Sequence, residues 1–485
     1  MSLQLKDPSL LQGKLLIDGQ WTDADSGETL AVTNPATGEV ICEVAKGGTE
    51  ETRRAIEAAD KALPAWRSLS AKERAVMLRK LFDLMIENQD DLGRILTAEQ
   101  GKPLAEAKGE VAYSASFIEW FAEEGKRLYG DVIPAPTGDK RMVVIKQGIG
   151  VVAAITPWNF PSAMLGRKLG PALAAGCTVV CKPANATPLS AYAIGVLAER
   201  AGIPAGVINI VTGRTSDIGD ELTGNPTVKK VTFTGSTPVG KHLMAQCAQT
   251  VKRTSMELGG NAPFIVFEDA DIDAAVAGAM MSKYRNAGQT CVCANRLMVH
   301  EKVYDEFVEK LKAAVGEMKM GNGFDEGVNV GPLVDEKAAN TVRGFIEEAV
   351  SKGATVVAGG TDGGLGGAFL APTILTNVSD DMKVFREEIF GPVAPVFKFS
   401  TDEEAIKMAN DTEFGLASYF YSRDIGRVWR VAEALDYGIG GINEGIISTE
   451  VAPFGGVKES GNGREGSKYG MDDYTEIKYL CMGGI

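Results

Sequence analysis

The chain reads as an α/β protein built on a doubly wound parallel sheet, with a second α/β unit behind it. From residue 151 onward short apolar runs alternate with stretches of helical periodicity, and the same alternation starts afresh at Phe264-Ile-Val-Phe267. Ahead of both, from about Thr49 to Leu128, apolar residues fall at three- and four-residue spacing, through Ala55-Ile56-Ala59-Ala62 and Val76-Leu78-Leu81-Leu84-Met85. That is a helical layer. Met142-Val-Val-Ile-Lys146 then reads as one strand of a projecting hairpin.

The first alternation predicts strands at 151–155, 177–181, 207–211, 229–233 and 252–256, with helices at about 162–175, 189–201, 216–223 and 236–249. The second runs from Phe264 through Ala394-Pro-Val-Phe-Lys-Phe399 to Gly438-Ile-Gly-Gly-Ile442, with the boundary near Gly259-Gly260. Ala358-Gly-Gly-Thr-Asp-Gly-Gly-Leu-Gly-Gly367 is expected to be an exposed loop, and there is no internal repeat.

A chain of 485 residues, 45% hydrophobic, has room for large cores and about three domains. Its net charge of -14 comes from 64 acids and 50 bases without long runs of either sign, which argues against nucleic acid or an anionic membrane as partner. Met1-Ser-Leu-Gln-Leu-Lys-Asp-Pro lacks the basic-then-apolar order of a signal peptide, and the longest uncharged apolar stretch, Leu169 to Cys181, is shorter than the ~18 residues of a membrane span. The seven cysteines sit mostly in apolar runs, as at Cys177 and Cys181, so a reducing cytoplasm is expected. None has zinc spacing with a histidine, and no metal site is expected.

Chemistry concentrates at Asn286-Ala-Gly-Gln-Thr-Cys291-Val-Cys293 and at Met256-Glu257-Leu-Gly-Gly-Asn261. A free cysteine, with a pKa of ~8.5, is only a few per cent thiolate at neutral pH, so a nucleophilic one needs a base or an electropositive setting. The two histidines, His242 and His300, stand in no motif, which leaves Glu257 as the candidate base. The alternative for Cys291 and Cys293 is a pair of buried small hydrophobes.

Two matches to the dinucleotide fingerprint, Gly148-Ile-Gly150-Val-Val-Ala153 and Gly461-Asn-Gly463-Arg-Glu-Gly466, are rejected because neither follows a strand and opens a helix. The first runs into a strand, and the second is expected to be a polar C-terminal loop. Val231-Thr-Phe-Thr-Gly235-Ser236-Thr-Pro238 has the right context for a phosphate, since a strand ends there and Pro238 begins a helix. Lys182 closes the strand run Val179-Val-Cys-Lys182, where ligands of such sheets bind. In Thr156-Pro-Trp158-Asn159-Phe-Pro161, Asn159 either caps the next helix or points its amide at a developing oxyanion.

Pro157-Trp-Asn-Phe-Pro161, Phe233-Thr-Gly-Ser236, Glu257-Leu-Gly-Gly260, Gly288-Gln-Thr-Cys291 and Glu387-Glu-Ile-Phe-Gly-Pro392, in this order, resemble the aldehyde dehydrogenase superfamily from end to end. Asn159-Phe-Pro-Ser-Ala-Met-Leu-Gly-Arg167-Lys168, the run from Lys283-Tyr-Arg285 to Cys293, and Asn443-Glu-Gly-Ile-Ile-Ser448 are similar to its succinate-semialdehyde dehydrogenase subfamily. The resemblance implies that Cys291 attacks the aldehyde carbon, that the Asn159 amide and the Cys291 N–H hold the oxyanion, and that Glu257 activates the water that hydrolyses the thioester. It implies a cofactor site of Thr156, Trp158, Lys182, Asn185, Gly213, Gly235, Ser236, Glu388 and Phe390, with Lys182 and Glu388 on the riboses and Ser236 on the pyrophosphate. Members restricted to NAD usually carry an acid three residues after the lysine; here that residue is Asn185, so NADP is expected, with NAD also accepted.

Arg167, eight residues after Asn159, and Arg285, six before Cys291, are the expected grip on a substrate carboxylate, with Ser448 as third partner and Cys293 as a possible redox partner of Cys291. The implied substrate is succinate semialdehyde, with glutarate or 2-oxoglutarate semialdehyde or a catalytically idle binding relative as alternatives. The implied domains are 1–124 with 148–258 for the cofactor, 259–459 for catalysis, and 125–147 with 470–485 for assembly into a homodimer or homotetramer.

Overall fold

The computed structural model describes residues 3–484. Met1 and Ser2 of the leader reading, and Ile485 at the end of the C-terminal assembly segment, lie outside them. The helical layer is four helices, Thr49–Ser68, Ala71–Glu87, Gln89–Gln100 and Leu104–Glu124. Each boundary has a local cause. Ser70 accepts the Glu73 N–H while the Glu73 carboxylate accepts the Ser70 N–H, a reciprocal cap that starts the second helix. Gly101, at φ +93°, ends the third in the left-handed region. Leu78, Leu81 and Met85 are fully buried on one face of the second helix.

Among the described residues the strands form sheets of eight, seven, three and two. The largest runs, in spatial order, Gly461–Asn462, Arg253–Glu257, Val228–Thr234, Val151–Ile155, Thr178–Lys182, Ile208–Ile210, Leu15–Ile17 and Gln20–Thr22. Its five central strands are parallel. Helices Pro161–Ala174, Leu189–Ala201, Thr215–Gly224 and Thr237–Cys247 connect them. The central strands are mostly buried along their length, which is why they appear in the sequence as short apolar runs. From Val151–Ile155 the chain steps outward in one direction to 178–182 and 208–210, then returns to add 228–234 and 253–257 on the other side. The crevice at the carboxyl ends of 151–155 and 228–234 is therefore a topological switch point, the place where such sheets bind ligands.

The N-terminal hairpin Leu15–Ile17/Gln20–Thr22, which closes this sheet antiparallel to Ile208–Ile210, was not expected; three-residue strands are too short to show a period. The second sheet runs Thr355–Ala358, Thr373–Thr376, Val393–Phe399, Ala294–His300, Ala262–Val266, Ala417–Tyr421, Ile439–Ile442. Only its edge strand Thr355–Ala358 is antiparallel to its neighbour. In the third sheet Thr475–Gly483 pairs antiparallel with Lys140–Gly148, which pairs with Asp131–Ile133. Val132, Ile477 and Tyr479 are exposed there. No helix among the described residues is long and apolar enough to cross a membrane.

Helix Pro161–Ala174 is buried along its whole length and packs on Leu104–Glu124. Two glycines one turn apart permit the approach. A Cβ at Gly166 would lie 2.7 Å from the main-chain oxygen of Ser114, and one at Gly170 would lie 3.0 Å from that of Phe117. Since a backbone oxygen cannot swing aside, Gly166→Ala should cost about 1–3 kcal/mol of overpacking and lower the denaturant midpoint. Gly344→Ala, in a helix where an added Cβ meets nothing within 4 Å, should leave the midpoint unchanged or raise it.

Candidate active site

Three loops at the switch point bring the expected residues together. The first leaves strand Val151–Ile155 at Thr156 and turns into helix Pro161–Ala174. Asn159 does not cap that helix. The cap position is Phe160, and the free N–H groups of Ser162 and Ala163 donate instead to Glu110 Oε1, at 2.9 and 3.1 Å. The Asn159 side chain, 5% exposed, donates from Nδ2 to Gln289 O at 3.0 Å, which leaves a second Nδ2 proton. Its main-chain oxygen accepts from Lys102 Nζ at 2.8 Å and Asn286 Nδ2 at 2.9 Å.

The second loop carries Cys291. It is preceded by three consecutive left-handed residues, Asn286 (φ 53°), Ala287 (φ 54°) and Gly288 (φ 75°). Two of them have side chains and are strained by of order 1 kcal/mol or more each. Glu106 Oε2 holds the turn by accepting the Asn286 N–H at 2.9 Å. A Cβ at Gly288 would lie 2.2 Å from Gly391 O. The main-chain N–H of Cys291 has no hydrogen-bond partner among the described residues. The third loop follows strand Arg253–Glu257, where a Cβ at Gly260 would lie 2.5 Å from Cys291 O. The glycine pair after Glu257 thus lets the two loops touch.

Two cavities meet at Cys291. One, of about 300 Å³, is lined by Tyr113, Phe160, Arg167, Arg285, Ser448 and Cys291. The other, of about 220 Å³, is lined by Trp158, Asn159, Ser236, Glu257, Glu388 and Cys291, with Gly235 and Phe390 also in its wall. Phe390 stands edge-to-face on Trp158 at 5.5 Å between centroids and takes a positive φ of 51°, strained for a bulky residue.

Charge is unevenly balanced here. Burial pushes the Cys291 thiol up to about 12, with Arg167 pulling against it and Glu257 and Glu388 adding to it. Burial also holds the Glu257 carboxyl well above its ordinary range, and the charge on Glu465 raises it further against Arg167 and Lys168. Glu257 Oε2 is buried without a hydrogen-bond partner among the described residues. Glu388 is raised to about 7 by burial, opposed by the Gly260 N–H bond.

Arg167 and Lys168 are both buried. Arg167 Nε pairs with Glu465 Oε2 at 2.7 Å, and Lys168 Nζ with Glu465 Oε1 at 2.6 Å and Thr234 Oγ1 at 2.7 Å. Arg167 Nη2 and Nε, and Glu465 Oε2, are buried with no hydrogen-bond partner among the described residues, so the Arg167–Glu465 contact is one of charge rather than an aligned hydrogen bond. The Arg285 guanidinium has no ion pair among the described residues; it lies 5.3 Å from the Phe160 ring. Two guanidiniums with donors to spare thus line the cavity that also holds Ser448.

Of the other residues expected to hold a cofactor, Thr156, Lys182, Asn185 and Gly213 lie outside the wall of the second cavity, along the carboxyl edge of strands 151–155, 178–182 and 208–210. Thr156 Oγ1 is buried and unpartnered, and Lys182, lowered to about 8 by burial, bonds through Nζ only the Pro183 carbonyl, at 3.2 Å, among the described residues. Both have capacity for a ligand hydroxyl or phosphate. The Asn185 amide is engaged at both ends with the Gly213 backbone, at 2.8 and 3.4 Å.

Cys293 lines neither cavity; its sulfur lies 3.5 Å from Lys283 Nζ, so pairing with Cys291 requires it to leave that contact. The second rejected fingerprint is not the polar loop expected of it. Gly461–Asn462 adds an edge strand to the large sheet, and Glu465 is 3% exposed because Arg167 and Lys168 balance its charge. Glu465 and the set Lys102, Glu106 and Glu110 were missed by sequence reasoning. Four-residue spacing from 102 to 110 was the available signal, but on one sequence it reads as a solvated helix face. No group of three or more His, Cys, Asp or Glu among the described residues is placed to hold a metal ion.

The aldehyde dehydrogenase family model matches residues 21–480. The chain is 66% identical to the glutarate-semialdehyde dehydrogenase of Pseudomonas aeruginosa over 100% of both chains. It is 62% identical to the succinate-semialdehyde dehydrogenase [NADP(+)] of Escherichia coli K12, over 99% of this chain and 100% of that one. The crystal structure of succinate-semialdehyde dehydrogenase from Burkholderia pseudomallei superposes with a TM-score of 0.98 at 62% identity, covering 99% of this chain and 100% of that one.

A thiol raised to about 12 is almost wholly protonated at neutral pH. Alkylation of Cys291 by iodoacetamide in the ligand-free protein should therefore rise about tenfold per pH unit from pH 7 to about 10, without a plateau. A plateau by about pH 8.5 would show a thiol no harder to ionise than a free one.

Proposed function

The chain belongs to the aldehyde dehydrogenase family, and from that premise we propose that it oxidises succinate semialdehyde to succinate with NADP, NAD also being accepted. The observation that supports this most is the meeting of two cavities at one sulfur, with unpartnered arginine donors on one side and a helix N-terminus with Ser236 on the other.

In this reading Arg167, Arg285 and Ser448 take the substrate carboxylate and thereby hold the aldehyde carbon at Cys291. A grip of two guanidiniums suits the carboxylate of a four-carbon ω-acid. Cys291 attacks as thiolate, and because its thiol starts protonated, a base must take that proton; Glu257, which lines the same cavity and is held above its ordinary range, takes it in this reading. The new oxyanion is met by the second Nδ2 proton of Asn159 and the free N–H of Cys291. The bound nicotinamide supplies the acceptor for the hydride that leaves the thiohemiacetal carbon. Ser236 and Lys182 would hold its phosphates, Thr156 and Glu388 its hydroxyls, with Gly213 and Gly235 leaving room and Trp158 and Phe390 walling the ring. Glu257 then deprotonates the water that hydrolyses the thioester, so turnover requires it ionised and falls as pH drops through its raised pKa.

A second reading, glutarate semialdehyde, is favoured by the 66% identical relative of that name. The aldehyde is one methylene longer, a difference a hydrophobic pocket discriminates by about 1–3 kcal/mol. We read 1–124 with 148–258 as the cofactor domain, 259–459 as the catalytic domain, and 125–147 with 470–485 as the surface of a homodimer or homotetramer. Seven unpaired cysteines suit the cytoplasm.

The substrate assignment is tested by kcat/KM for succinate, glutarate and 2-oxoglutarate semialdehydes against butanal. Arg167→Ala and Arg285→Ala should each lose about 10- to 100-fold on the acid-bearing aldehydes and little on butanal, as one charge-assisted hydrogen bond is worth roughly 1.5–3 kcal/mol. Equal losses on butanal would make the arginines structural.

The cofactor assignment is tested by Asn185→Glu. The substitution also breaks the bonds to Gly213, but that damage falls on both cofactors, so the ratio of kcat/KM for NADP over NAD isolates charge. The native ratio should exceed one and drop about 10- to 100-fold at fixed ionic strength. A native enzyme that rejects NADP contradicts the assignment.

A further inference from the structure

Glu106 and Glu110, four residues apart, share one face of helix Leu104–Glu124, and Lys102 stands just ahead of that helix and pairs with Glu110. The side chains of Lys102 and Glu110 are each 1% exposed and pair at 2.6 Å. A buried ion pair is a weak source of stability, since desolvation offsets most of its attraction and an apolar pair would pack as well. What distinguishes this one is where its remaining bonds go. Lys102 Nζ donates to the main-chain oxygen of Asn159 at 2.8 Å and lies 3.7 Å from the Phe160 ring. Glu110 Oε1 takes the N–H groups of Ser162 and Ala163. Glu106 takes the N–H of Asn286, whose amide donates to the same Asn159 oxygen. Lys102 and the helix behind it therefore fix the Asn159 carbonyl and the helical turn that follows it, and tie both to the strained turn before Cys291.

We propose that Lys102 and Glu110 are positioning residues for the oxyanion pocket, acting through the main chain of Asn159. The inference rests on the reading of Asn159 as an oxyanion donor. Lys102 sets where the Asn159 backbone lies, and Glu110 fixes both Lys102 and the first turn of the helix that follows. Donors to a developing charge must be held to within about 0.5 Å, and a misplacement of about 1 Å costs about 100-fold.

The test is a double-mutant cycle read as the rate of the first turnover, measured by stopped-flow formation of reduced cofactor. Lys102→Met and Glu110→Gln should each slow it about 10- to 100-fold while KM for the aldehyde and Kd for the cofactor stay native, and Lys102→Arg should recover part of the rate. In an Asn159→Ala background, adding Lys102→Met should slow it no further. An equal slowing in both backgrounds, or a parallel rise in KM and cofactor Kd, would overturn the proposal and leave the pair a folding element. Glu110→Gln keeps an acceptor for Ser162 and Ala163, so it carries the same cycle if Lys102→Met does not fold. An Asn159→Ala protein that completes the first turnover at the native rate would overturn the oxyanion reading itself, and the positioning role with it.

Discussion

The carboxylate of Glu465 holds two buried cations at once, and much of the site depends on that bridge. Its two oxygens lie 2.7 Å from Arg167 and 2.6 Å from Lys168. Burial alone would neutralise such a carboxyl, yet Lys168 and Arg167 outweigh burial and keep Glu465 below its ordinary range. The ionised bridge balances the Arg167 charge, while Arg167 Nε and Nη2 make no hydrogen bond among the described residues. It also brings a negative charge near Glu257 and so raises it further. The proposed substrate grip and the proposed general base are thus linked electrostatically through one buried side chain. Removing it would leave two uncompensated cations, a loss of about 3–5 kcal/mol for a buried pair.

The second constraint is the convergence of two cavities on Cys291. The Cys291 loop borders both cavities, and its close approach to neighbouring backbone requires glycine at 260 and 288, where main-chain oxygens of Cys291 and Gly391 occupy the space of a side chain. In the ligand-free protein burial disfavours the charged forms of both Cys291 and Glu257. A thiol held protonated in this way is protected from wasteful modification until a carbonyl is present.

The sheet was legible because its central strands are buried and therefore written as apolar runs of five or so residues, and helices such as Leu189–Ala201 have the bounds expected of them. The strands at 15–17 and 20–22 were not, since three residues carry no period. Cys291, Glu257 and Asn159 stood out through the chemistry of their neighbours. Yet the choice between cap and amide for Asn159 stayed open until Glu110, on another helix, was found holding the N–H groups a cap would take. Glu465 was invisible for a related reason. It lies 297 residues from Lys168 in sequence, inside a glycine-rich polar run that resembles a surface loop, and only the fold brings its cations to it.

In the proposed mechanism Cys291 carries the acyl group and Glu257 releases it. The most direct measurement is peptide mapping, with fragmentation to the residue, of Glu257→Gln protein quenched in acid after mixing with succinate semialdehyde and NADP. A succinyl thioester at Cys291, formed slowly because the base for the thiol is lost but hydrolysed more slowly still, and reaching about one per active site with Cys293 unmodified, is the expected result. Reduced cofactor accumulating with Cys291 unmodified, or the acyl group found on Cys293, would contradict it.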